Sequence, residues 1–176
     1  SSQWEQPSFC LSQFQQKRGS KILGQIHHLK MKITIIGFDI WGYARLISSE
    51  LEKQGHDVHY INTSIYQFPH KNLKIKIRNF LSKLFLGINL KKRDRDRRII
   101  PLLASDQDLI LVINPGEYHG ELLQIVRKST QKLIGWNYDS LQRKPLYKWH
   151  FSIFDTLYSF DREDCSDHTH LYFLPN

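Results

Sequence analysis

Short apolar runs alternate with longer stretches of helical period along most of this chain. The first run, 33–36, is rich in β-branched residues and too brief for a helix, which predicts a strand buried on both faces. Gly37 and Gly42 bracket the loop that follows, and Ala44, Leu46, Ile47 and Leu51 then recur at helical spacing. Gly55 stands just after Lys53 and Gln54, where a glycine in left-handed geometry ends a helix. Val58, Tyr60 and Ile61 give a second strand. A strand, a turn, a helix and a strand joined in this way have one hand, so the two strands are expected as parallel neighbours.

The pattern continues. After a loop over 62–70, closed by Pro69, the apolar positions Leu73, Ile77, Phe80, Leu81, Leu84 and Ile88 fall at steps of three and four, with Lys74, Lys76, Arg78 and Lys83 mostly elsewhere. That spacing predicts an amphipathic helix with a cationic face, ended by Gly87 and Asn89, and a further helix over 93–103. Residues 108–113 (DLILVI) form a third buried strand, broken by Asn114, Pro115 and Gly116. A helix is expected over 117–128, with Glu early and Arg127 and Lys128 late, as the helix dipole favours. Strands follow at 133–136, 154–160 and 171–174, with short helices at 145–150 and after Asp161 through Asp167. Strands alternating with helices, without repeats, predict an α/β fold: a Rossmann-like, doubly wound parallel sheet of about six strands.

Residues 1–30 do not share this pattern. They are rich in Gln and Ser, hold no sustained period and lack a signal peptide's apolar core. Met31, the sole methionine, directly precedes the first strand, so residues 1–30 are expected to be a disordered or non-native extension and 31–176 the domain. The alternative is a short ordered arm with a helix near 11–14.

Charge changes the picture more than composition does. Hydrophobic content of 40% and charged content of 24% are ordinary for a globular domain, and 176 residues suffice for one real core. No run approaches the roughly 20 apolar residues that cross a bilayer. Cys10 and Cys165 lie far apart and make no disulfide framework. The net charge of +8, however, is concentrated: residues 71–98 hold eleven Lys and Arg against Asp94 and Asp96. Such a helix is most simply a crossover with a solvated face. It could also lie on an anionic membrane surface, with Phe80 and Phe85 entering the interface. No nucleic-acid partner is expected, because the aromatics lie among apolar residues rather than displayed for stacking.

In an open parallel sheet, ligands bind beyond the carboxyl ends of the strands. The candidate loops are 37–42, 114–119, 136–140 and 161–164, and each carries a carboxylate: Asp39, Glu117, Asp139 and Asp161. Capping a helix or turn is the commoner role for any one of them; together they point to a functional groove. Gly37, Phe38, Trp41, Gly42, Tyr118, His119 and Trp136 share those loops. No cofactor is expected. The dinucleotide glycine fingerprint is absent, Asn62 stands where an acid would hold a ribose, and Asp39 and Trp41 would crowd a pyrophosphate. A P-loop and the Gly-x-Ser-x-Gly elbow are also missing. No metal is expected either: His56 and His59 diverge across a strand, and Cys165, His168 and His170 lack four-ligand spacing.

KITIIG, followed by a helix closing in LEKQGHDVHYIN, resembles the opening of GT-B glycosyltransferases, whose N-terminal domain is Rossmann-like. WNYDSLQRKP, FDTLYSFDREDC and LYFLPN are similar to a group of bacterial CgeB-like proteins encoded with lipopolysaccharide and capsule genes. The resemblance covers 31–176, with Asp139, Asp161, Asp164 and Phe173-Leu174-Pro175 its more specific part. It implies the acceptor-side half of a cytoplasmic enzyme, which the cationic stretch 71–98 could bring to the inner membrane. A saccharide or lipid-linked acceptor would bind here, and the nucleotide-sugar donor only through a C-terminal domain that would begin where this chain stops. It further implies a base from this half that deprotonates the acceptor hydroxyl. Where such enzymes often carry histidine this loop offers Asp39, with Glu117 or Asp139 second; Trp41, Tyr118 and Trp136 would stack on acceptor sugars. Without the donor domain such a half should be inactive alone. The alternative is a non-catalytic Rossmann-like module binding a ligand or partner.

Overall fold

The computed structural model describes residues 29–39, 41–66, 72–168 and 170–175. The expectations for residues 1–28, including the arm near 11–14, and for Pro69 lie outside the described residues. Among the described residues six strands form one sheet: β1 (Lys32–Gly37), β2 (Asp57–Asn62), β3 (Gln107–Ile113), β4 (Thr130–Asn137), β5 (Thr156–Ser159) and β6 (Leu171–Phe173). Their order is β2-β1-β3-β4-β5-β6 and every neighbouring pair is parallel. The α-helices among the described residues are α1 (Tyr43–Lys53), α2 (Leu73–Leu86), α3 (Leu90–Ile99), α4 (Gly120–Lys128), α5 (Lys148–Ile153) and α6 (Arg162–Asp167). The expected α/β, doubly wound, Rossmann-like fold is what forms.

The continuous apolar runs are explained by two cores, one on each face of the sheet. Ile33, Ile35 and Ile113 pack with Ala44, Ile47 and Leu51 of α1 on one side. Ile36, Ile110, Val112, Leu133 and Leu157 pack with Ile99 of α3, Leu122, Leu123 and Val126 of α4, and Phe151 and Ile153 of α5 on the other. Strand residues alternate between these cores, as the two-residue period of a strand requires. Gly135 in β4 matters here: a Cβ at that position would come within 2.8 Å of Pro115 Cγ, so the absence of a side chain lets the β3 exit fold down onto β4.

Element boundaries differ from expectation where backbone geometry, rather than apolar spacing, sets them. β4 begins at Thr130 instead of 133, because Thr130 and Lys132 continue the ladder opposite Gln107 and Leu109. α3 begins at Leu90 instead of 93, because the Asn89 side chain accepts from Lys91 N–H at 3.2 Å and caps it there. α4 begins at Gly120, since Pro115–Glu117 makes a separate 3-10 turn. α5 starts at Lys148 rather than 145, where Tyr147 N–H donates to His150 Nδ1 at 2.9 Å.

The basic hairpin departs most. α2 forms and stops at Gly87, whose φ of 65° lets Ile88 N–H reach back to Ser82 carbonyl at 3.1 Å. No residue of α2 belongs to either core cluster. Its buried residue is Asn79, whose Oδ1 accepts from Leu90 N–H at 3.0 Å. Leu73, Ile77, Phe80, Leu81, Leu84 and Phe85 are exposed. The amphipathic stripe thus faces outward, and α3 does the packing on the sheet. No helix among the described residues is long and apolar enough to cross a membrane.

Candidate functional site

The strand order reverses between β1 and β3, because α1 carries the chain to one side of β1 and every later crossover carries it to the other. The exits of these two strands therefore define the switch point where ligands of such sheets bind. β1 ends at Gly37, and a Cβ there would meet Ile113 Cβ at 2.9 Å, so the two exits approach closely. Asp39 follows. Its side chain is only 3% exposed; Oδ2 lies 3.9 Å from Arg45 Nε, and Oδ1 has no hydrogen-bond partner among the described residues. A buried carboxylate oxygen without a donor forfeits the interaction that repays its desolvation; Trp136 Nε1, Asn137 Oδ1 and His150 Nε2 are likewise buried without a partner among the described residues.

Two phenols stand near it. Burial raises the pKa of Tyr60, and the Asp39 charge adds to the rise. Tyr60 is seated by its hydroxyl, which donates to Gly37 carbonyl at 3.5 Å. Tyr138, just past β4, is likewise raised, by burial first and then by Asp139, Glu117 and Asp39. Three of the four sequence-predicted carboxylates thus bear on one hydroxyl. Tyr138 is positioned by Asn114, whose Oδ1 accepts from Tyr138 N–H at 3.1 Å while its own N–H donates to Trp136 carbonyl at 2.8 Å. Asn114 adopts φ 51°, a left-handed conformation that Asn tolerates better than most residues. Sequence inspection gave Asn114 only as a strand breaker; an Asn directly before Pro-Gly at a strand end was the available signal.

Glu117 lies in a ring of cations. Lys144 Nζ donates to Glu117 Oε1, Arg95 Nη1 lies 3.9 Å from Oε2, and Lys92 Nζ donates to Gly116 carbonyl at 2.7 Å. Burial alone would raise the Glu117 pKa, but the Lys144 hydrogen bond and the Lys144, Lys92 and Arg95 charges outweigh it, and the group ends lowered. Lys92 is lowered in turn by burial, with Arg95 and Lys144 adding to the effect. Asp139 is also engaged, accepting from Ser140 N–H at 3.1 Å and lying 3.3 Å from Arg143 Nη1. The groove is therefore not simply acidic, since each of these carboxylates meets a cation.

The remaining predicted residues divide. Asp161 caps α6 through Glu163 N–H at 3.0 Å and does not join the cluster around Tyr138. Neighbouring Asp164 ties two exits together, accepting from Leu141 N–H and Ser159 hydroxyl, both at 2.9 Å. Tyr118 is buried beneath Arg95, whose guanidinium carbon lies 4.6 Å from the ring centre; its pKa is pushed up to about 12 by burial. Trp136 is also buried, edge-on to Tyr138. Phe38 and Trp41 are exposed, and Gly42 takes φ 81° at the start of α1. His119 donates its N–H to Asp96 Oδ2 at 2.8 Å, on the side of a groove between α3 and α4 that Asp39 does not reach.

Fold and site together define an all-parallel, doubly wound α/β domain with a buried carboxylate at its switch point, one of whose oxygens has no hydrogen-bond partner among the described residues. No family model, curated protein or solved structure matches the chain.

Proposed function

We propose that this chain is the acceptor-side, Rossmann-like half of a GT-B glycosyltransferase of bacterial lipopolysaccharide or capsule synthesis. Asp39 Oδ1 at the β1 exit, buried and without a hydrogen-bond partner among the described residues, carries the proposal. As the acceptor hydroxyl oxygen bonds to the anomeric carbon, its proton passes to Asp39. The bond from that carbon to the donor diphosphate breaks, and its electron pair leaves with the nucleoside diphosphate, held by a second domain. Tyr60 and Tyr138, both protonated at neutral pH, orient the hydroxyl. The exposed rings of Phe38 and Trp41 flank the loop that must open for a saccharide to reach a carboxylate this well covered. The cationic ring fixes Glu117 as a carboxylate that shapes the groove. A lipid-linked acceptor would bring the enzyme to the inner face of the cytoplasmic membrane.

The test is glycosyl transfer from a panel of nucleotide sugars by a protein in which this half is joined to a donor-binding domain. Asp39→Asn should lower kcat by roughly 10²–10⁴-fold, the usual contribution of a general base, with a smaller effect on acceptor KM. Transfer at the wild-type rate would remove Asp39 from the mechanism. A second reading, a non-catalytic module that binds its ligand at the same place, is favoured by the ion pairing of both Glu117 and Asp139. It requires saccharide binding without transfer in every domain context.

A further inference from the structure

We propose that α2 is a membrane-docking helix that lies flat on an anionic lipid surface with its apolar stripe submerged. The inference is independent of the chemistry at Asp39. In a globular domain an amphipathic helix turns its apolar side to the core, and α2 does the reverse. Ile75, Asn79 and Ser82, which share one side at helical spacing, are its least exposed positions, and the inward side is completed by the Asn79 bond to the start of α3. On the opposite side Leu73, Ile77, Phe80, Leu81, Leu84 and Phe85 form a continuous stripe, 43% to 75% exposed. Six large apolar side chains on fourteen residues exceed the scatter of single exposed hydrophobics that surfaces normally carry.

The occupant is indicated by charge. Lys76 and Lys83 border the stripe along one edge, and along the other Lys74 and Arg78 stand on either side of Phe85, as the 100° step between residues places them. From residue 72 to 93 there are seven Lys and Arg and no acid. A protein groove that received such a stripe would need acids on both of its banks. A leaflet with anionic headgroups supplies them on every side, and the long cationic side chains reach back to the headgroups while the stripe enters the acyl boundary. The Gly87 turn and α3 then hold the helix against the domain, so the lipid sees one face only.

Flotation of the protein with vesicles decides the matter, using phosphatidylcholine alone and phosphatidylcholine with a third of it replaced by phosphatidylglycerol. Binding should be about tenfold or more higher on the anionic vesicles and should fall as salt rises. Phe80→Ser with Phe85→Ser, and separately Lys76→Gln with Lys83→Gln, should each reduce it about tenfold, while thermal unfolding stays near wild type because these side chains are exposed. In a Phe85→Trp variant, brominated lipid should quench the new fluorescence. Flotation indifferent to phosphatidylglycerol, or serine variants that float like wild type, would overturn the proposal. So would a dimer in light scattering that the serine variants dissociate, combined with no vesicle binding, since the stripe would then be covered by a second copy.

Discussion

His150 shows how much of this protein's pH response is set by one side chain. It is 1% exposed, its Nδ1 accepts Tyr147 N–H, and its ring stacks on Trp149 with centroids 3.6 Å apart. Burial pushes its pKa down from 6.5 to about 4, against the raising effect of its backbone hydrogen bonds. An unfolded chain therefore takes up this proton before the folded one does. The stability contributed by the neutral ring is complete above about pH 6.5 and is lost as pH falls toward 4, to a total of about 3 kcal/mol. Urea unfolding between pH 7 and pH 4 should show that slope, and His150→Phe should flatten it by a corresponding amount. Nothing in the sequence set His150 apart from the other eight histidines, because its burial depends on Pro115 arriving from the β3 exit, a contact distant in the chain.

At the scale of elements, α3 carries the part of the site that sequence spacing concealed. LKKRDRDRRI reads as a solvated charged helix, yet Lys92, Arg95, Asp96 and Ile99 share one face and turn inward. Lys92 and Arg95 donate to the Gly116 and Glu117 carbonyls, and Asp96 accepts from His119 N–H, so the whole 114–119 turn hangs from this helix. The Asp96 pKa is raised because burial outweighs the His119 and Arg95 contacts, which marks a charge kept at a cost for the sake of that turn. Asp96→Ala leaves the His119 N–H and the Arg95 guanidinium without their acceptor and should destabilise by about 1–3 kcal/mol. Asp96→Asn, which still offers an oxygen to His119, should recover most of the loss, as thermal unfolding of the two variants would report. The strands and α1 were legible because apolar period fixes them. The role of α3 was not, because ionic groups satisfied by a distant turn look the same in sequence as ionic groups satisfied by water. Asp161 was legible for the same local reason that makes caps readable: its partner, Glu163 N–H, is two residues away.

Across the whole molecule, stability should be graded from the sheet centre outward. β1, β3 and β4 are buried on both faces and joined by long parallel ladders, whereas α2 touches the body through one side and no core cluster. Native-state hydrogen exchange should show the slowest amides in these three strands, near the global unfolding limit, and the fastest helical amides in α2. A helix of this length is marginal in water without tertiary support, so equal protection of α2 and β3 would mean that something covers it. The parallel sheet and its six strands followed from the alternation of short apolar runs with helical segments. The side of α2 that faces water did not, because periodicity locates an apolar stripe without saying which neighbour receives it.

The strand order also governs how a nascent chain can assemble. β2 docks on one side of β1, and the chain must then cross over β1, through α2 and α3, to place β3 on the other. From there β4, β5 and β6 each join the edge left by the strand synthesised just before. The slow, loop-closing event is therefore the single return of β3, and everything after it can proceed at the pace of the ribosome.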